Sequence, residues 1–160
     1  MGDRFNVLQS TVSLFTLIKS CSIIRTSAIY ETEPWGSVRQ GWFLNVIVEM
    51  KTTLTPEELM AKCQEIERFM GREKSKEVRW GERIIDIDII FYDKEVINQE
   101  QLVIPHQYMH KRAFVLVPLL ELIPDFKHPV LDKTITQLYD ELEVVEDVLL
   151  YGTKYSQIEE

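Results

Sequence analysis

The chain is nearly without cysteine: Cys21 and Cys63 are the only two in 160 residues. One pair makes no disulfide framework, and its spacing matches no metal motif. Both read as small core residues of a protein for a reducing cytoplasm. Also missing is any apolar run near the roughly 18–20 residues that a membrane span needs. The opening MGDRFNVLQS has no charged-then-apolar signal pattern, so neither a membrane partner nor secretion is expected, and the expected localisation is cytoplasmic. No GxxxxGK[ST] and no GxGxxG occur, which excludes a P-loop enzyme and a Rossmann dinucleotide site. Basic charge is in deficit, 18 Lys and Arg against 26 Asp and Glu, and the net charge of −8 argues against a nucleic-acid partner.

What is present belongs to an ordinary globular protein: 45% hydrophobic and 28% charged residues, in a length that fits one domain over 1–160. No repeat, low-complexity tract or linker divides it, and residues 152–160 read as a flexible tail. The scarce cations are gathered rather than scattered. Arg72, Lys74, Lys76, Arg79 and Arg83 face three acids within one stretch, and Lys111-Arg112 follows later. Such a cluster suits either an anionic ligand or a solvated loop of alternating charge.

The order of elements can be read from periodicity. Asp3 can cap a first helix, with Phe5, Leu8, Val12 and Phe15 at helical spacing to about Lys19. Ser22 to Tyr30 reads as a strand, a Pro- and Gly-marked loop runs from Glu31 to Gly41, and Phe43 to Lys51 alternates as a second, antiparallel strand. Thr55-Pro56-Glu57-Glu58 opens a helix with a capping box, Leu59, Cys63, Ile66 and Met70 form its stripe, and Gly71 is the expected stop. After the basic loop comes a strand, Ile84 to Phe91. A short apolar pair at Val96-Ile97 leads to Ile104-Pro105-His106. Ala113 to Ile123 reads as a buried helix entered or broken near Pro118, Thr134 to Leu142 as a last helix, and Val144 to Tyr151 as a last strand.

The chemistry centres on RWGERIIDIDIIF, Arg79 to Phe91. Strand alternation puts Ile84, Asp86, Asp88 and Ile90 on one side, with the two Asp Cα atoms about 6.5–7 Å apart. Two carboxylates so placed can share one or two Mg²⁺ ions, which take one or two carboxylates beside phosphate oxygens and water. A solvent-washed sheet face is the alternative, and the surrounding isoleucines count against it. Arg79 and Arg83 just upstream supply the planar, permanently charged forks that match phosphate. Trp80 suits either stacking on a planar ligand or anchoring its loop. His106 is either structural or an extension of an anion site toward Lys111-Arg112. Trp35 and Phe43, near Thr32 and Asn45, fit an aromatic slot or ordinary strand packing.

Taken together, RWGERIIDIDIIF, VIPHQYMHKRAFVLVPLLELIPDF, YETEPWG and FLNVIVEMKTTLTPEELMAKCQEIERFMGR resemble 6-hydroxymethyl-7,8-dihydropterin pyrophosphokinase, an enzyme family of folate biosynthesis. The likeness runs from Met1 to about Leu142. It implies transfer of pyrophosphate from ATP, with two Mg²⁺, to the hydroxymethyl group of the reduced pterin, releasing AMP. It implies Asp86 and Asp88 as metal ligands and Arg72 and Arg83 as catalytic cations. Arg83 and His106 would meet the phosphates with Arg112 nearby, and Arg72 and Trp80 would ride a loop that closes over the site. Gln64, Glu67 and Ile89 would lie near the nucleotide. The pterin would sit between Phe43 and Phe114, with Thr32, Trp35 and Asn45 lining the slot. The partners would be small molecules only, and the chain a monomer or a part of a larger folate-pathway protein.

The implied fold is α+β, a ferredoxin-like split βαβ antiparallel sheet with helices on both sides. The family begins with a central strand ending in Gly-Ser-Asn, just before Gly2-Asp3-Arg4; this chain has Met1 at that junction, so the fold is expected without that strand. Glu33 and Glu82 stand where the family usually has Pro, and Phe43 where Tyr is common. Two other readings are a pterin- or nucleotide-binding remnant without catalysis, and another Mg²⁺-dependent phosphotransferase.

Overall fold

In the computed structural model, residues 3–32, 43–73, 84–143 and 146–151 are described; the side chains of Asp3, Arg72 and Glu73 are not. The architecture is mixed, with short antiparallel sheets and helices, and the chain forms two compact units. One comprises Gly2–Ile24 and Met50–His106; the other comprises Arg25–Glu49 and Gln107–Glu160.

The first unit is built on α1 (Asp3–Thr16) and α2 (Pro56–Glu73). The predicted capping box is present: the Glu58 backbone N–H donates to Thr55 Oγ1 at 3.2 Å, and the Thr55 N–H to Glu58 Oε1 at 2.9 Å. Those bonds hold the Glu58 carboxyl below its usual range. The stripe Leu59, Cys63, Ile66 and Met70 is buried, and with Val7, Phe15, Cys21, Ile89, Leu102 and Ile104 it makes one core. Each large apolar member contributes about 1.5–3 kcal/mol on burial. Gly71 does not stop α2, which continues to Glu73; a glycine ends a helix only where the chain turns left-handed, and inside one it costs about 1 kcal/mol. Likewise α1 ends at Thr16, short of Lys19, where the Thr16 hydroxyl donates back to the Ser13 carbonyl. Ile97 and Ile104 belong to a hairpin, β5 (Ile97–Gln99) against β6 (Leu102–Ile104), where they stand opposite each other; Val96 lies just before it and is exposed.

The two long strands expected from the sequence are each broken in two. Ser22 to Tyr30 becomes β1 (Cys21–Thr26) and β2 (Tyr30–Thr32); Phe43 to Lys51 becomes β3 (Phe43–Asn45) and β4 (Val48–Thr52). The breaks face each other. Ser27 N donates to the Ile47 carbonyl at 2.8 Å, and Ser27 Oγ accepts from Ile47 N at 2.9 Å, so a side chain replaces one ladder bond. β4 neighbours β1, while β2 pairs antiparallel with both β3 and β7 (Val148–Leu150). The helix α3 (Ala113–Leu122) packs on β2, β7 and α4 (Ile135–Asp140). Pro118 lies inside α3 and is buried, rather than marking its entry or a break. It has no N–H for the Phe114 carbonyl, a loss borne by a helix whose apolar faces are enclosed. Thr134 caps α4 through a second box with Gln137.

The expected strand Ile84–Phe91 pairs with no strand among the described residues. Backbone bonds join it to a side-chain carboxylate and to the amide of His106. Its side chains nevertheless alternate in exposure as a strand's would.

His128, buried in the loop before α4, accepts from the N–H groups of Val130 and Leu131 on Nδ1 at 3.1 and 3.0 Å. A protonated ring would turn that acceptor into a donor. Burial first, and His110 second, push its pKa below the ordinary imidazole value. Its contribution to stability is therefore whole above about pH 6.5 and is lost as pH falls below that value. The urea midpoint should drop between about pH 7.5 and 5.5 in the native chain and drop less in His128→Asn, whose amide oxygen accepts the same bonds without titrating. Equal pH slopes would contradict this assignment.

Candidate active site

The segment Ile84–Phe91 is fastened from beneath. Ile89 is buried, and Ile84, Ile85 and Ile87 pack against the core formed by α1 and α2. The Tyr92 hydroxyl donates to the Leu54 carbonyl, His106 N donates to the Ile90 carbonyl at 3.0 Å, and Ile87 N donates to Glu67 Oε2 at 2.8 Å. With the isoleucines turned inward, Asp86 and Asp88 are exposed on the opposite side. The isoleucines on both sides of Asp86 and Asp88 predict a face closed to solvent, yet both carboxylates are exposed, while Ile85, Ile87 and Ile89 turn to the core.

His106 Nε2 lies 3.9 Å from Asp88 Oδ2, so one imidazole stands beside the carboxylate pair. No group of three or more His, Cys, Asp or Glu that could hold a metal occurs among the described residues. Two exposed oxygen donors leave the remaining positions to water and ligand oxygens, which is the donor set suited to Mg²⁺. Gln64 is exposed on α2, Glu67 is part-buried one turn further on, and Ile89 contributes to the core. Cys63 lies close enough to feel Glu67, Cys21 and Asp88; burial and those charges push its thiol up to about 12.

In the other unit, a small polar and aromatic cluster forms on β2 and β3. The register places Thr32 opposite Phe43 and Tyr30 opposite Asn45. Thr32 is buried, and its Oγ1 accepts from Asn45 Nδ2 at 3.0 Å. The Phe43 ring is 51% exposed, a half-open apolar face at the start of a strand. Phe114 is half-buried in the first turn of α3, and the Arg112 guanidinium stands 5.7 Å from the centroids of both the Phe114 and Tyr108 rings.

Two features here were not anticipated from the sequence. Tyr108 precedes Arg112 by four residues, a spacing that would have suggested the stacking had a helical turn been expected there. Glu121 accepts from Ala28 N at 3.1 Å and from the Tyr30 hydroxyl at 2.8 Å, joining α3 to the break before β2. Burial and that carboxylate push the Tyr30 phenol up to about 12. No local pattern points to such a contact between residues so far apart in the chain. Trp35, Trp80, Arg83 and the side chain of Arg72 lie outside the described residues, as do Lys74, Lys76 and Arg79.

A family model described as 7,8-dihydro-6-hydroxymethylpterin-pyrophosphokinase matches residues 1–124. A Bacillus subtilis 2-amino-4-hydroxy-6-hydroxymethyldihydropteridine pyrophosphokinase is 44% identical over 122 residues, covering 76% of this chain and 72% of that one. The protein of the same name from Aquifex aeolicus is 37% identical over 141 residues, 88% of this chain and 86% of the relative. The folic acid synthesis protein fol1 of Schizosaccharomyces pombe is 38% identical over 142 residues, covering 89% of this chain but 19% of that protein.

A thiol at about 12 leaves on the order of one Cys63 in ten thousand as thiolate at pH 8. Iodoacetamide should therefore leave Cys63 unmodified in the folded protein and label it fully in guanidinium chloride, read by peptide mass spectrometry. Rapid labelling of the native chain would show the thiol to be neither buried nor suppressed.

Proposed function

This chain belongs to the 7,8-dihydro-6-hydroxymethylpterin-pyrophosphokinase family, and we propose that the residues just described divide its two substrates between them. The activity is that of an ATP-dependent pyrophosphokinase of folate biosynthesis, transferring pyrophosphate from ATP to hydroxymethyldihydropterin. In balance, the substrate hydroxyl oxygen bonds to the β-phosphorus of ATP, the bond from that phosphorus to the α-phosphate oxygen breaks, and AMP and the hydroxyl proton leave.

The observation that carries the assignment is the outward pair Asp86 and Asp88 with His106 beside it. Asp86 and Asp88 would hold Mg²⁺, two ions in our reading, which when bound neutralises phosphate charge and polarises the reacting phosphorus. His106 and Arg83 meet the phosphates, Arg112 stands nearby, and Arg72 and Arg83 supply the catalytic cations. Arg72 stands in the last turn of α2 rather than in a loop; excluding water, which competes with the hydroxyl for phosphorus, is the role that the resemblance gives to it and to Trp80. Gln64 and Ile89 border the nucleotide, with Glu67 close by.

The pterin belongs to the other set. Phe43 and Phe114 offer rings to a flat heterocycle, while Thr32, Asn45 and Trp35 meet its polar edge. The half-exposed Phe43 and the ready-made Thr32–Asn45 bond support this reading. We read residues 1–160 as one pyrophosphokinase domain because the family match runs through both units, with 152–160 as a flexible tail. The fold reading that goes with it is the ferredoxin-like split βαβ. There Ile84–Phe91 takes a strand position. The partners are small molecules, the chain works as a cytoplasmic monomer, and the same domain can stand within a longer folate-pathway protein. Among the described residues no helix is long and apolar enough to cross a membrane.

Incubation with ATP, Mg²⁺ and 6-hydroxymethyl-7,8-dihydropterin should yield AMP and the pterin pyrophosphate. Asp86→Ala and Asp88→Ala should each lower kcat at least about a thousandfold while pterin binding, measured by calorimetry, is kept. Undiminished turnover in either variant would refute the metal assignment, and AMP formed at full rate without pterin would refute the acceptor.

A further inference from the structure

Glu67 was first placed near the nucleotide, but its carboxylate is engaged elsewhere. Glu67 Oε2 accepts from the backbone N–H of Ile87, the residue between Asp86 and Asp88, at 2.8 Å. We propose that Glu67 is a positioning residue: it fixes the Ile87 amide to α2 and thereby sets the direction in which Asp86 and Asp88 present their oxygens. This rests on the reading of those two aspartates as the metal pair.

Two observations lead there. The bond at Ile90 comes three residues later, beyond both carboxylates. And α2 is the most firmly seated element of its unit: Cys63, four residues before Glu67, and Met70, three after, are both in the core. A side chain on that helix therefore transmits the rigidity of the core to the middle of the carboxylate pair. The acceptor is charged and the donor part-buried, which makes the bond about twice as strong as a neutral one. Metal oxygens must be held to within a few tenths of an ångström, and a ligand pair on an unfixed backbone loses affinity even with both carboxylates present.

The test uses the full chain and three variants, Glu67→Ala, Glu67→Gln and Asp88→Asn. Amide exchange by NMR reports the bond itself: Ile87 N–H should exchange at least about tenfold faster in Glu67→Ala, and near the native rate in Glu67→Gln, whose amide oxygen can still accept. Mn²⁺ binding in the presence of a non-hydrolysable ATP analogue, followed by electron paramagnetic resonance, should weaken about tenfold or more in Glu67→Ala and recover in Glu67→Gln. Calorimetric pterin affinity should stay unchanged in both. If Glu67→Ala leaves Ile87 exchange and Mn²⁺ affinity as they were, the proposal fails. It also fails if only metal-free nucleotide binding weakens, which would make Glu67 a nucleotide contact. A uniform loss of Mn²⁺ and pterin binding together would mark a merely structural residue and overturn it as well. Asp88→Asn separates the premise from the inference. Mn²⁺ binding that survives in Asp88→Asn sinks the metal pair and the proposal with it. Mn²⁺ binding lost in Asp88→Asn but intact in Glu67→Ala sinks the proposal alone.

Discussion

The alternation of Ile84–Phe91 is the constraint from which the outward pair of Asp86 and Asp88 follows. Successive side chains leave a strand-like backbone in opposite directions, so burying Ile87 and Ile89 forces Asp86 and Asp88 outward together. A shift of one residue would bury both carboxylates, at several kcal/mol each, and expose the isoleucines. The hydrophobic effect thus aims two polar groups it never touches. Because the aspartates face water, they remain open to a cation.

The platform for that segment is α2, and its stability has two separable sources. Reciprocal bonds at Thr55 and Glu58 satisfy donors that a helix start leaves empty. The stripe from Leu59 to Met70 then fixes rotation about the helix axis by burying one face in the core. That rotation decides that Glu67 meets the Ile87 amide while Gln64 stays on the exposed side.

The second unit solves a different problem. Its strands are short and interrupted, and a two- or three-residue ladder contributes little by itself. Side chains bridge the interruptions: Ser27 across the paired breaks, and Glu121 from α3 to Ala28 and Tyr30. Arg25 adds a bond to the Leu122 carbonyl at the end of the same helix. With β2 held this way, Thr32 and Asn45 meet across the strand pair, and Phe43 keeps one face open at its edge.

Local chemistry made much of this legible from the chain alone. The capping box at Thr55, the α2 stripe, the buried cysteines and the side of the strand shared by Asp86 and Asp88 depend on neighbours within a few residues, and sequence spacing reports such neighbours. The motifs around Trp80, Asp86 and His106 carried the family. Features that depend on distant partners were decided only by tertiary structure. The breaks at Ser27 and Ile47 need two strands to be seen together; the passage of α2 through Gly71 and the place of Pro118 inside α3 depend on the packing that encloses them. The exposure of Asp86 and Asp88 required knowing which face the core would take, since alternation groups residues into two sides without saying which is inward. The sequence by itself determined which residues act together, because period and motif are local. Tertiary structure decided where they face and what holds them there, because burial and hydrogen-bond partners are properties of the folded chain.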